Sequence, residues 1–235
     1  MNIKRNLYIL LLFVLPTTIS FAQNDSIYSG LPAEKSFFRK QLLPVSLIAG
    51  GALLNIGAIK YDIQEVFPET HTHVEDYFQY APMAQIYIFD AFGFKHRNSV
   101  FDQTKYLALS QLFSGSLVHF LKHTTKVERP WGGKTSFPSG HTTTAFTGAT
   151  VLYHEFKDTE PLLAWSGYLF ATATGAIRVT NNAHWLPDVL AAAGIGILTT
   201  NLVYYFEPLP ISNISLPADF LLAPVTVCII FRTAT

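Results

Sequence analysis

Between Lys122 and Asp188 the chain sets Lys122, Arg129-Pro130, Pro138-Ser139-Gly140-His141, Arg178, His184 and Asp188 among apolar helical segments. Packing alone does not explain three permanent cations, two histidines and a carboxylate in such surroundings. Lys and Arg are almost never fully buried unless paired, so three of them beside apolar runs predict a shared anion, and a phosphate-like oxyanion fits the set. Arg offers a planar fork for bidentate recognition, and Lys a compact point charge. Pro138-Ser139-Gly140 reads as a tight turn opening a helix at His141, whose free N–H groups would make an anion seat. Ser139 can add a hydroxyl donor there, and Gly140 lets the backbone approach the ligand closely. His184 and Asp188 are four apart, which on a helix puts them on one face. Asp188 can then accept the proton on one ring nitrogen and leave the other free to attack, the orientation a histidine nucleophile needs.

These blocks resemble the signature of the type 2 phosphatidic acid phosphatase and vanadium haloperoxidase superfamily. That pattern runs Lys, six residues, Arg-Pro; then Pro-Ser-Gly-His; then Ser-Arg, five residues, His, three residues, Asp. The likeness covers roughly residues 105 to 205. It implies that Lys122, Arg129 and Arg178 bind phosphate, with Ser139 and Gly140 completing the cradle. It further implies that His141 is the general acid for the leaving oxygen, and that His184 is the nucleophile, forming a phosphohistidine and oriented by Asp188. Ile177 departs from the pattern by standing where the family usually has Ser before Arg178, so one hydroxyl contact is missing while every charged position is kept.

Other polar residues carry plainer readings. His119 and His154, on apolar helices, read as structural histidines with satisfied rings. His71-Thr72-His73 near Glu75 and Asp76 reads as a solvated polar loop, with no further Cys or His at zinc-like spacing. His123 follows Lys122 and could line the pocket, but the pattern does not require it.

Formal charge is zero, which gives no electrostatic case for a nucleic-acid partner. A mean hydropathy of +0.27 with 14% charged residues leans toward a membrane setting. Cys228 is the single cysteine, so an intramolecular disulfide is impossible. Lys4 and Arg5, the apolar Leu7–Pro16 and Ser20-Phe21-Ala22 read as an export signal over residues 1–22. Residues 23–41 form a polar lead-in, 42–206 the helical domain and 207–235 a tail.

The site needs helices to hold it, and the pattern supplies an all-α bundle of about five to six helices with the active site at one end. Apolar or mostly apolar runs cover Leu42–Ile59, Ala81–Phe94, Tyr106–Leu121, His141–Phe156, Leu162–Val179 and Val189–Phe206. Small residues in Ala191–Gly196 predict close helix approach. Beta-branched residues at Val225–Phe231 predict a short C-terminal hairpin. If Ala81–Phe94 is too short to cross a bilayer, the remaining runs put all three blocks on one outer face. Against this, Lys35, Arg39 and Lys40 flank the first run on the wrong side for the positive-inside tendency. The localisation therefore reads as exported, either in the cell membrane with an outward-facing site or periplasmic and peripheral.

The expected activity is a metal-independent acid-type phosphatase acting on phosphate monoesters or diphosphates, with a lipid-linked phosphate favoured as the ester and the membrane as the setting. It needs no cofactor and no metal, because the positive charge comes from side chains. A vanadate-dependent haloperoxidase and a non-catalytic phospholipid-binding module are the alternatives. Chain length favours the phosphatase over the former, and the His141, His184 and Asp188 set argues against the latter.

Overall fold

A computed structural model describes residues 33–56 and 58–206. The export signal, the Val225–Phe231 hairpin and most of the lead-in lie outside those residues. Along the described chain run α1 (Ala33–Lys40), α2 (Leu42–Ile56), α3 (Ile59–Gln64), α4 (Glu75–Phe78), α5 (Ala81–Ala91), α6 (Val100–Thr125), α7 (Gly140–Phe156), α8 (Pro161–Thr180) and α9 (Leu186–Phe206). Six have eleven residues or more, and no strand occurs among the described residues. The all-α bundle is therefore observed.

Helix α7 is the axis of the bundle and packs against α8, α9, α6 and α5. It is rich in threonine, yet it can be buried because its hydroxyls are satisfied. Thr143 Oγ1 donates to the Ser139 carbonyl, Thr147 Oγ1 to Ser114 Oγ, and Thr150 Oγ1 to the Phe146 carbonyl. Ile86, Leu107, Val151, Leu152, Phe156 and Ala164 form an apolar cluster at its C-terminal half. The opposite, N-terminal end of α7 carries the chemistry.

The small-residue run does what its composition predicts. A Cβ on Gly194 would lie 2.5 Å from the Pro44 carbonyl of α2, and one on Gly196 would lie 2.9 Å from the Thr143 carbonyl of α7. Helix α9 is thus wedged between α2 and α7 at backbone contact.

Some boundaries differ from expectation. The run Leu42–Ile59 is split, α2 ending at Ile56 and α3 starting at Ile59, and this break brings Asn55 and Lys60 together. Helix α5 has 11 residues, about 16 Å at 1.5 Å per residue, against a hydrocarbon core of about 30 Å. It cannot span. His184 is not on a helix at all: α9 begins at Leu186. Pro187 explains that start, since its missing N–H and fixed φ suit the first turn.

Packing gives a paired test. Gly194→Leu should lower stability by roughly 1–3 kcal/mol through overpacking against α2. Gly50→Ala, where a Cβ meets nothing within 4 Å, should raise it by about 0.5–1 kcal/mol by removing a mid-helix glycine. Thermal unfolding in detergent reads both, and equal stability of the two variants would contradict the close α2–α9 contact.

Candidate active site

The cations leave the ends of helices whose dipoles favour them. Lys122 lies in the last turn of α6, which closes on Lys126 in the left-handed conformation, and Arg178 lies in the last turn of α8. A positive side chain beside unsatisfied C-terminal carbonyls is favourable. Facing them is the N-terminus of α7, whose first amides have no partner within the helix. Ser139 is its N-cap, but its side chain caps no amide. Instead Ser139 Oγ accepts from Thr142 Oγ1 at 2.9 Å, which leaves its own proton to donate. A buried N-cap serine that breaks the usual capping rule is better placed to hold a ligand than to stabilise the helix.

Asp188 is fully buried and its carboxylate is surrounded by donors. Asn55 Nδ2 donates to Oδ1 at 2.6 Å, and Lys60 Nζ donates to Asn55 Oδ1 at 3.1 Å. Oδ2 accepts from the Trp185 amide at 3.1 Å and from Ser136 Oγ. The Trp185 contact is the reach-back of a first-turn acid onto the residue ahead of its helix. His184 Nδ1 lies 3.4 Å from the same Oδ2 and 3.4 Å from Ser136 Oγ. With the proton on Nδ1, the Nε2 lone pair is left free. His184 is 1% exposed, and burial pushes its pKa down to about 4, outweighing the opposing pull of Asp188. The ring is therefore neutral at ordinary pH. In short, the pair works across a helix start rather than along a helix face.

The remaining positive charges crowd one another. Burial pushes the Lys122 ammonium down to about 8, with Arg129 and Arg178 adding to the shift. The Arg129 guanidinium is lowered by burial and then by Arg178. Lys122 Nζ donates to the carbonyls of Thr135 at 3.0 Å and Ser136 at 3.2 Å, and the Arg129 guanidinium lies 5.8 Å from the Trp131 ring. Lys122 and Arg129, disfavoured by burial and by a neighbouring guanidinium and only partly offset by Asp188, make with Arg178 a site where a doubly charged oxyanion would relieve repulsion.

A cleft of about 290 Å³ opens beside them, lined among others by Gly115, Val118, His119, Lys122, Gly140 and His141. His184 lies deeper: Lys122 lines the cleft and bonds the Ser136 carbonyl, while Ser136 Oγ touches His184. His119 is exposed on the cleft wall, its ring 4.3 Å from His123. His154 is half-buried, with Nε2 at 2.8 Å from Asn201 Oδ1.

His71 and His73 are exposed on irregular chain, as a solvated polar loop requires, but the two acids that follow contact the site. Glu75 is 2% exposed and pairs with Arg178 Nη1 at 3.3 Å. Asp76 Oδ1 meets His141 Nε2 at 2.8 Å. Sequence reasoning missed Glu75, Asp76, Asn55, Ser136 and Asn181; the adjacent acids Glu75-Asp76 were visible, but nothing local tied them to partners 103 and 65 positions away.

Residues 117–210 match the family model of the PAP2 superfamily, the family that the three blocks resemble. A curated relative, the lipid A 1-phosphatase of Porphyromonas gingivalis, is 35% identical over 141 residues. That alignment covers 59% of this chain, and the chain spans 32% of the length of that relative. The crystal structure of Aquifex aeolicus LpxE shares the fold at a TM-score of 0.51 and 23% identity, covering 63% of this chain and 96% of that one.

Orthovanadate binding tests the cluster of charges. Replacing Lys122, Arg129 or Arg178 by Ala should each weaken it by tenfold or more, about 1.4 kcal/mol at least. Lys in place of either Arg should recover little, because a point charge lacks the fork. Binding measured by calorimetry that is unchanged in all three Ala variants would remove the cations from the site.

Proposed function

We propose that the protein is a metal-independent phosphatase of lipid-linked phosphates that works through a phosphohistidine. One observation carries this reading: a neutral, buried His184 backed by Asp188 stands with three cations at the N-terminus of α7. Pure binding would need the cations alone. A nucleophile with its own orienting carboxylate is the addition that turnover requires.

In this mechanism the phosphoryl oxygens sit between Lys122, Arg129, Arg178, Ser139 Oγ and the first-turn amides of α7, including that of Gly140. His184 Nε2 attacks phosphorus in line, Asp188 stabilises the positive ring that forms, and the P–O bond to the alcohol breaks. His141 gives its proton to the departing oxygen. Water, deprotonated by His141, then attacks the phosphohistidine and releases phosphate, restoring both histidines. Positioned charge supplies most of the rate enhancement.

A lipid-linked ester is supported by the surroundings. Phe37–Ile56 and Leu186–Phe206 are long and apolar enough to cross a membrane, with mean hydropathies of 1.2 and 1.6. Large apolar side chains face outward on several helices, among them Leu53, Phe113, Phe120, Leu162 and Leu169. The named activity of the Porphyromonas gingivalis relative points to lipid A as the first lipid to test. Export through residues 1–22, with the site on the outer side of the membrane, completes the proposal.

The free-enzyme pH profile follows from the two histidines. His184 must be neutral, so kcat/KM should rise with pH through about 4. His141 must be protonated, and burial with Arg178 nearby lowers its pKa below the ordinary histidine value. The rate should therefore fall again as pH rises through that lowered value, which gives an acidic optimum. An optimum on the alkaline side would refute the assignment of roles.

His184→Ala should abolish hydrolysis of phosphatidate, isoprenyl diphosphate and lipid A while vanadate still binds. Wild-type activity should persist in excess EDTA. Loss to EDTA with rescue by a divalent metal would instead make the histidines and Asp188 ligands. Bromide oxidation by vanadate-loaded protein, without ester hydrolysis, would establish the haloperoxidase alternative.

A further inference from the structure

The segment leading into α4 places two carboxylates against the site from a direction that no block of the pattern supplies. We propose that Asp76 is a positioning residue for His141, holding its imidazole in the proton-donating form, and that Asn181 fixes Asp76 there by anchoring the Thr70–Phe78 segment. This rests on the phosphatase reading above, in which His141 serves the leaving group.

The anchoring is complete in hydrogen-bond terms. Asn181 Nδ2 donates to the Thr72 carbonyl at 2.7 Å and to Glu75 Oε1 at 2.8 Å. Asn181 Oδ1 accepts from the Thr72 amide at 3.2 Å and from Thr70 Oγ1 at 2.8 Å. Both amide protons and both lone pairs are thereby used. A backbone bond from Thr70 N to the Thr180 carbonyl at 2.8 Å adds to the clamp. The segment is thus fastened to the C-terminal end of α8, the same end that carries Arg178.

From that position Glu75 and Asp76 serve different partners. Glu75 takes Arg178 Nη1, while Glu75 Oε2 and Arg178 Nε are buried without protein partners. Asp76 Oδ1 takes His141 Nε2. His141 lines the cleft that also contains Gln79, Lys122 and Gly140, so the Asp76 contact is made at the cleft edge and not in the bundle interior.

The charges facing His141 decide why a partner is needed. Arg178 from α8 disfavours the imidazolium, as burial does, whereas Asp76 and Glu75 from α4 favour it. Lys122 and His119 of α6 share the same cleft, and His73 Nδ1 lies 3.9 Å from Asp76 Oδ2. An acid held among cations would give up its proton too readily. Asp76 offsets that tendency through a direct contact, and its half-exposed carboxylate limits the effect to the modest end of the range for an opposite charge at hydrogen-bond distance.

The test compares wild type, Asp76→Asn, Asp76→Glu and Asn181→Ala on an alkyl phosphate and on para-nitrophenyl phosphate. Asp76→Asn should move the alkaline limb of kcat/KM for the alkyl ester to lower pH, with roughly a tenfold loss on that side of the optimum. The aryl ester, whose leaving group needs little protonation, should lose far less. Asp76→Glu should restore the limb in part, and Asn181→Ala should shift it in the same direction as Asp76→Asn. Equal losses on both esters at every pH, or an unmoved limb, would overturn the proposal.

A second readout does not depend on turnover. The ring-proton resonances of His141, titrated by NMR in detergent micelles, should show a lower midpoint in Asp76→Asn than in wild type, and an unchanged midpoint would overturn the link. If wild type hydrolyses no phosphate ester, the phosphatase reading fails by itself, while this titration still decides whether Asp76 controls the proton on His141.

Discussion

The carboxylate of Asp188 is the point on which the rest of the site hangs. A fully buried carboxylate is tolerated only where donors replace water, and here they come from separate stretches of chain. Asn55 arrives from α2, Ser136 from the loop after α6, and Trp185 and His184 from the turn before α9. The Asp188 backbone carbonyl in turn accepts from the Ser139 amide, which ties down the N-cap of α7. One residue therefore orients His184, the proposed nucleophile, and also ties the N-terminus of α7, the proposed anion seat, beside it. The price of burying a charge is met by contacts that join the second and third blocks, with Ser136 between them and Lys122, whose Nζ donates to the Ser136 carbonyl.

The cations obey the opposite logic. Asp188 offsets only part of the cost of charging Lys122 and Arg129, whose affinity for protons is lowered first by burial and then by neighbouring cations. In the proposed reading such a site favours an oxyanion, and the transition state most of all, where charge on the transferring group would be spread toward every donor. Glu75 relieves part of the repulsion at Arg178 without entering the cradle proper. Two of the cations are held before any ligand arrives, Lys122 by two carbonyls and Arg178 by Glu75.

How much of this was legible depends on range. The three blocks could be read because their types are unusual for apolar surroundings and their spacing is short. The bundle could be read because its apolar runs have helical length. The start of α9 was misplaced although Pro187 marked it, and the His184–Asp188 pair was consequently pictured on a helix face. Asn55, Glu75, Asp76 and Asn181 were hidden for another reason. They are common polar types whose meaning comes from a partner far along the chain: Asn55 is 133 positions from Asp188, and Asp76 is 65 from His141. Composition near His71–Asp76 resembles a solvated loop because the residues that bury Glu75 belong to the end of α8.

The placement of chemistry at helix ends also explains how a bundle this apolar can hold so polar a centre. The N-terminal half of α7 meets Lys122 and Arg178 at the C-terminal ends of α6 and α8, so opposite helix poles converge and their partial charges add to those of the side chains. The opposite end is left to Phe156, Ile86 and Leu152, which are completely buried. The carboxylate buried beside that cluster, Glu155, is held by Asn98 and Tyr204, so the cations of the site are kept apart from it. In the proposed reading the separation has a further consequence: a substrate whose phosphate is joined to an apolar body can bring the phosphate to the polar end while its body stays along the outward apolar side chains of the helices.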